Sequence, residues 1–385
     1  MRLPTHMISP LTSLVRAAAF FKDSRTNPRM SRKRISKTSS KPLQGRTLRE
    51  LPAVDSVDEL AAYFSTNTKT LLWLASLAKT SHPGRHYHSK WIQKRVGHRL
   101  IESPLPKLKS MQRMILTDIL NPIPVSNSAH GFCKKRNTKS FVAGHSGRSV
   151  CLKMDLKQFF PSIDARRVGG IFKSLSFPRP VTRVLTGLCT TIAKPEDITQ
   201  LKTMSTSGQQ LNCLYARRHL PQGAPTSPKL ANLVAFRLDR RLDGLVRPFD
   251  GRYSRYADDL LFSFPRDYAL DRQCKNRLRR LRNLIAAIAI EEGFDVNFRK
   301  TRIMFRSQRQ LATGLVINEK PNCPRKHYEQ LKAILHNCIH HGPETQNRDN
   351  HSNFRAHLKG RVEWIAYLNQ TRGQKLRRQF ERIEW

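Results

Sequence analysis

Two adjacent aspartates, Asp258 and Asp259, lie inside Arg252 to Phe264, RYSRYADDLLFSF. Tyr253, Arg255 and Ala257 alternate with Ser254, Tyr256 and Asp258, and the rhythm resumes in Leu260, Phe262 and Phe264. That period of two predicts a pair of short strands with the aspartates at the hairpin turn. Aspartate is at home in turns because its side chain bonds nearby backbone, so a solvated loop pair is the plain alternative. Composition argues against it. The chain has 28 acidic residues against 70 Lys and Arg, and carboxylates set in aromatic, apolar sequence carry a desolvation cost. A third carboxylate, Asp155, closes a β-rich run in SVCLKMDLKQFFPSI (Ser149 to Ile163), ahead of the turn-forming Pro161-Ser162. Two unit charges ~4 Å apart repel by about 4 kcal/mol at an effective dielectric near 20. Gathering Asp155, Asp258 and Asp259 therefore calls for divalent cations. Two Mg²⁺ ions are the expected cofactor, with Mn²⁺ as a substitute, because a metal pair can clamp both oxygens of an in-line displacement at phosphorus.

The formal charge of +42 on 385 residues makes a polyanion the natural partner, and nucleic acid is the commonest one. Such binding weakens steeply with salt through counterion release. No apolar run approaches the ~20 residues that span a bilayer, and no basic amphipathic segment suggests a membrane surface. Seven scattered cysteines without a C-x-x-C exclude a disulfide framework or zinc ribbon and favour a reducing, cytoplasmic setting. His336 and His340 stand at helical spacing but lack a third ligand, so they read as surface residues.

Tyr256-Ala257-Asp258-Asp259 resembles the catalytic box of reverse transcriptases, and Asp155 with Phe159-Phe160 resembles their first catalytic motif. Between them, Leu220 to Pro228 reads LPQGAPTSP, the box of bacterial retron and group II intron enzymes. The three boxes in this order carry the resemblance. It implies an α+β right-hand polymerase with fingers, palm and helical thumb. On that frame, residues 1–50 form a basic arm, 51–148 N-terminal helices and fingers, 149–318 the palm (with part of the fingers at 165–220), and 319–385 the thumb.

The elements follow from local signals. Ser56 to Glu59 is a capping box opening a helix, and a second helix spans Thr70 to Lys79. Tyr87 to Pro104 reads strand–turn–strand around Gly97, and a helix runs from Leu108 to Leu120. Pro178 to Ser207 is a helix-and-loop insert. Asp271 to Gly293 is an amphipathic helix with Gly293 as C-cap, followed by a strand over Asp295 to Lys300. Leu311 to Asn318 reads as a strand pair, and 325 to 385 as helical.

The resemblance also implies roles. Asp155 and Asp258 hold the metals with Asp259 in support, helped by backbone at Leu156, and Lys300 stands near the leaving pyrophosphate as a candidate acid. Lys94 and Arg99 bind the triphosphate; Gln222 and Gly223 pass the template and incoming base. Phe160 sits where the family places a ring against the sugar 2′ position, which implies dNTP substrates. His145 (in a variant of the N-A-x-x-H box), Thr313 and Gly314 (A-T-G where retron enzymes have V-T-G), Lys359 and Arg361 are expected at nucleic acid. By the same resemblance, the enzyme copies a cognate structured noncoding RNA into DNA from a guanosine 2′-hydroxyl in antiphage defence. Too little chain follows Leu368 for an RNase H domain, so a host RNase H and an effector protein are expected partners. Another bacterial reverse transcriptase, or an inactive RNA-binding scaffold, is the alternative.

Overall fold

The computed structural model describes residues 51–385 except 79–81, 83, 95–96, 205–212 and 271–272. The expected basic arm at 1–50 lies outside the described residues. In chain order, helices α1 (Val57–Tyr63) and α2 (Thr68–Leu74) precede the hairpin β1 (Tyr87–Gln93) and β2 (His98–Pro104). Helix α3 (Pro106–Met114) runs into a π-helical turn at Ile115–Leu120, then come α4 (Thr138–Ala143) and β3 (Val150–Lys157). Then come α5 (Ala165–Ser174), α6 (Arg179–Cys189), α7 (Pro195–Met204) and α8 (Ser227–Val234). Next are α9 (Phe236–Val246), β4 (Arg252–Tyr256), β5 (Asp259–Phe264), α10 (Arg266–Leu270) and α11 (Cys274–Glu291). Short strands β6 (Asp295–Val296), β7 (Arg302–Phe305), β8 (Leu311–Ala312) and β9 (Leu315–Val316) lead to α12 (Arg325–His341), α13 (Phe354–Leu368) and α14 (Gln370–Glu381).

This is an α+β chain whose sheets are antiparallel. The largest sheet has five strands: β4 pairs β5, β5 pairs β3, and β3 pairs β7 along its first half and β6 at its end. Side chains alternate across a strand, so β3 has two distinct faces. Val150, Leu152, Met154 and Leu156 enter the main core with Leu260, Phe262 and Phe264 of β5. On the other face Cys151 joins Leu261 and Met304 in a second core closed by α12, α13 and α14. Farther along that face the apolar residues give way to Lys153 and Asp155. The sheet is thus sandwiched over most of its length, and its charged end is where the site forms.

Three local expectations differ. The strand read over Asp295 to Lys300 is only Asp295–Val296, after which Phe298–Lys300 makes a 3₁₀ turn. The helix read to Leu120 changes to π geometry after Met114, ahead of the Asn121-Pro122 breaker. The second helix stops at Leu74, capped by Ala75, whose N–H bonds back to Leu71. Of the first capping box only the N-cap half forms: Ser56 Oγ accepts from Glu59 N at 3.1 Å, while the Glu59 carboxylate accepts from Asp55 N at 2.8 Å instead of Ser56 N.

Candidate active site

The strands carrying the three aspartates are neighbours. Asp155 of β3 stands opposite Asp259 of β5 in the ladder, and Leu156 N donates to Asp258 O at 2.9 Å. The β4–β5 turn is tight, with Ala257 in the left-handed region at φ 55°. Burial and the nearby Asp155 carboxylate both push the Asp258 carboxyl up, with a smaller push from Asp259. The other two aspartates have lysine partners. Lys300 Nζ donates to both Asp155 oxygens, at 3.0 and 3.1 Å, and Lys153 Nζ lies 2.9 Å from Asp259 Oδ1. No ion pair reaches Asp258 among the described residues.

Among the described residues no group of three or more His, Cys, Asp or Glu is arranged to hold a metal. Lys153 holds Asp259 on the strand face it shares with Asp155. Asp155, the unpaired Asp258 and the Leu156 backbone remain a set of hard oxygen donors of the kind Mg²⁺ prefers, so the donor chemistry fits a divalent ion. Asp259 fits a supporting place.

Beneath the turn lies a network that sequence reasoning missed. Arg255 points from β4 into the main core and is fully buried. Its Nε and Nη2 donate to the two oxygens of Asp239, at 2.7 and 2.8 Å, and its Nη1 to Asn232 Oδ1 at 2.9 Å and Ala257 O at 3.1 Å. Tyr253 OH adds a bond to Asp239 Oδ1 at 2.9 Å. The bidentate pair satisfies a buried charge that would otherwise be costly, and it fixes the carbonyl next to Asp258. The available signal was Asp239 on the apolar face of α9 between Leu238 and Leu242, four turns of sequence away from an arginine in an apolar strand. Lys153 was also legible, since it alternates with Asp155 on β3.

The cations expected at the triphosphate lie on the β1–β2 hairpin. Lys94 N donates to Gly97 O at 2.9 Å across the tip, where Gly97 has φ 76°. Its ammonium is pushed down by burial first and then by Arg99, while Asp258 and Asp155 pull it back up, so Lys94 is within electrostatic reach of the carboxylates. Arg99 pairs with Ile92 in the ladder, and its Nε is buried without a hydrogen-bond partner. Gln222 O accepts from Glu102 N at 3.0 Å, which fastens the LPQG segment to β2. A side chain at Gly223 would meet Glu102 O at 2.7 Å, so only glycine allows that approach. Behind it Glu102 Oε2 lies 2.8 Å from His219 Nε2, both residues buried. Phe160 is half-buried between Phe159, 5.6 Å away centroid to centroid, and Phe132, 6.0 Å away.

Of the residues expected at nucleic acid, His145 is a core residue instead. Its Nδ1 lies 2.8 Å from Ser263 Oγ and its Nε2 2.7 Å from Ser254 Oγ. Ser254 Oγ donates to Phe141 O at 3.0 Å, so it accepts from Nε2–H. Burial pushes this imidazole down to about 3. With both nitrogens engaged, His145 ties α4 to the sheet and offers nothing to a ligand. Thr313 (φ 45°) and Gly314 (φ 81°) form the β8–β9 turn, and Lys359 and Arg361 lie on α13, Lys359 exposed.

A carboxylate pair on a small antiparallel sheet, flanked by lysines on a strongly cationic chain, is suited in charge to phosphate-bearing polyanions and divalent ions. A family model described as reverse transcriptase (RNA-dependent DNA polymerase) matches residues 92–351. The chain belongs to the reverse transcriptase family, in its retron type. It is 38% identical over 295 residues to the retron Mx65 reverse transcriptase of Myxococcus xanthus, covering 76% of this chain and 64% of that protein. With the retron Mx162 reverse transcriptase of the same organism it shares 34% over 347 residues (87% and 68%). With the retron Ec86 reverse transcriptase of Escherichia coli it shares 32% over 291 residues (75% and 80%). Among the described residues no helix is long and apolar enough to cross a membrane.

Proposed function

We propose that this chain is an RNA-directed DNA polymerase that copies part of a cognate structured noncoding RNA into single-stranded DNA, primed from a guanosine 2′-hydroxyl of that RNA. A place in antiphage defence, with a host RNase H and an effector protein as partners, belongs to the same reading. Its relatives' retron names support the RNA partner, and the +42 charge supports a polyanion. In this reading residues 149–318 act as palm, 51–148 and 165–220 as fingers, and 319–385 as thumb.

The observation that carries it is the meeting of Asp155 on β3 with Asp258 in the adjoining β4–β5 turn, within electrostatic reach of Lys94. Bound at these oxygens, a pair of Mg²⁺ ions would neutralise the carboxylates and polarise phosphate oxygens for in-line displacement. The chain's own residues supply position and charge. Lys94 and Arg99 would hold the triphosphate of a dNTP, with Arg99 offering its unpartnered Nε. Lys300, held at Asp155 with its side chain 59% exposed, can turn to the leaving pyrophosphate and give it a proton. Gln222 and Gly223 would form the surface under the template base, and Phe160 would exclude a 2′-hydroxyl. The Thr313–Gly314 turn would touch the primer, and Lys359 and Arg361 the duplex phosphates.

Primer extension on an RNA template tests this. The wild-type chain should extend the primer with dNTPs and a divalent ion, and Asp258→Asn should not. Full activity in the variant would remove Asp258 from the chemistry and the proposal with it.

A further inference from the structure

The turn Ala129-His130-Gly131-Phe132 is fastened to the catalytic hairpin more firmly than a surface loop requires. Ala129 bridges Arg255, and His130 N donates to Arg255 O at 2.8 Å. Asn232, the residue that also holds Arg255, donates through Nδ2 to Gly131 O at 2.8 Å. A Cβ at Gly131 would come within 2.6 Å of Ala257 N, so the turn presses against the Tyr256–Ala257 peptide at the catalytic hairpin's turn. These restraints hold Phe132 at φ 60°, a conformation a bulky residue rarely adopts. Its ring is nevertheless 49% exposed, and so contributes little to a core.

What the ring does touch is Phe160, with 6.0 Å between centroids at an angle of 57°. The other ring beside Phe160 is Phe159, itself stacked on Phe294 at 5.5 Å. Phe160 therefore stands between a buried core ring and an exposed ring set by a strained turn. A gate residue excludes by where its ring is held, and removal of one wall lets it swing away from the sugar.

We propose that Phe132 is the second wall of the deoxyribose gate: a positioning residue that holds Phe160 where a ribonucleotide 2′-hydroxyl would collide. The inference rests on the reading of Phe160 as the gate. Glycine at 132 suits the left-handed backbone, so Phe132→Gly removes the ring while easing the turn, and Phe132→Tyr keeps the ring. Each variant, with Phe160→Ala as reference, is given an RNA template annealed to a DNA primer, and incorporation of dTTP and of UTP opposite adenine is measured. Phe132→Gly should raise the kcat/KM of UTP relative to dTTP by about 10-fold while dTTP use stays within a few-fold. Phe132→Tyr should keep the wild-type ratio, and Phe160→Ala should exceed both. An unchanged ratio in Phe132→Gly alongside a raised ratio in Phe160→Ala overturns the inference and leaves the gate standing. Equal loss of both nucleotides in Phe132→Gly, the sign of a ring that grips nucleic acid, also overturns it. An unchanged ratio in both variants removes the gate reading as well.

Discussion

Two hairpins bring charge to the site, and they are supported differently. The β4–β5 hairpin is part of a five-stranded sheet, with Tyr253, Arg255, Leu260 and Phe262 all buried and a bidentate ion pair beneath its turn. The β1–β2 hairpin is a two-stranded sheet by itself. Its attachments are fewer: Tyr87 reaches the main core, Leu100 packs in a small cluster with Ala193 and Tyr215, Trp91 Nε1 donates to Asp197 O at 3.2 Å, and Glu102 meets His219 and Gln222. A two-stranded ribbon with few buried contacts opens more easily than a core strand. Carboxylates that must sit a few ångströms apart need the rigid support. Cations that meet a mobile triphosphate can ride on the looser one. Damage to the first hairpin should therefore strike rate and stability, and damage to the second mainly substrate affinity.

The strongest test of that contrast is Asp258→Asn. Primer extension should fall by at least ~10³-fold, yet the melting temperature should hold or rise, because burial and Asp155 already disfavour the Asp258 charge. A large loss of stability would mean that this carboxylate holds the fold rather than the reaction.

Next comes Arg255→Met, which strands the fully buried Asp239. It should cost about 3–5 kcal/mol in denaturant unfolding, and a paired Asp239→Leu should recover most of that. Little change in the single variant would show that the turn is held by its ladder alone.

Acid should act on the same region. Burial pushes His145 down to about 3 and His130 to about 4, from an ordinary value of 6.5. Between those values the unfolded chain binds more protons than the folded one, so stability is complete above the ordinary value and falls as pH drops below it. Each histidine contributes a slope of up to ~1.4 kcal/mol per pH unit. Thermal melts at pH 7, 6 and 5 should fall in that order, and His145→Gln should flatten the decline.

The smallest effect belongs to the other hairpin. Lys94→Ala should raise KM for dNTPs about 10-fold, leave kcat within a few-fold and not move the melting temperature. A large fall in kcat instead would place Lys94 in the chemical step.

Much of this was open to inspection in the chain itself. The period-two rhythm of RYSRYADDLLFSF and the β-rich run before Asp155 both became the strands they suggest, and Gly97 and Ser56 mark a turn and a cap as read. Lys300 was singled out, and it meets Asp155. Three things were hidden. His145 looked like a ligand residue because its box is, but burial turns a histidine with two satisfied nitrogens into a packing residue. The role of Arg255 was hidden because its partner Asp239 lies 16 residues earlier on a helix. Ala129 to Phe132 resembles a turn of the family in sequence, but the contact of Phe132 with Phe160 is recognised only once the backbone is placed.

The order of the carboxylates, the strands that bear them and the excess of positive charge are properties of the sequence alone. They follow from local patterning, which a neighbour two or four residues away can enforce. Which charges pair is a property of the fold. Lys153 pairs with Asp259 and Lys300 with Asp155, Arg255 goes inward, and Phe132 comes to rest beside Phe160 because packing brings together residues that the chain keeps apart. At Arg255 and Asp239 burial then removes the water that would have made the pairing weak.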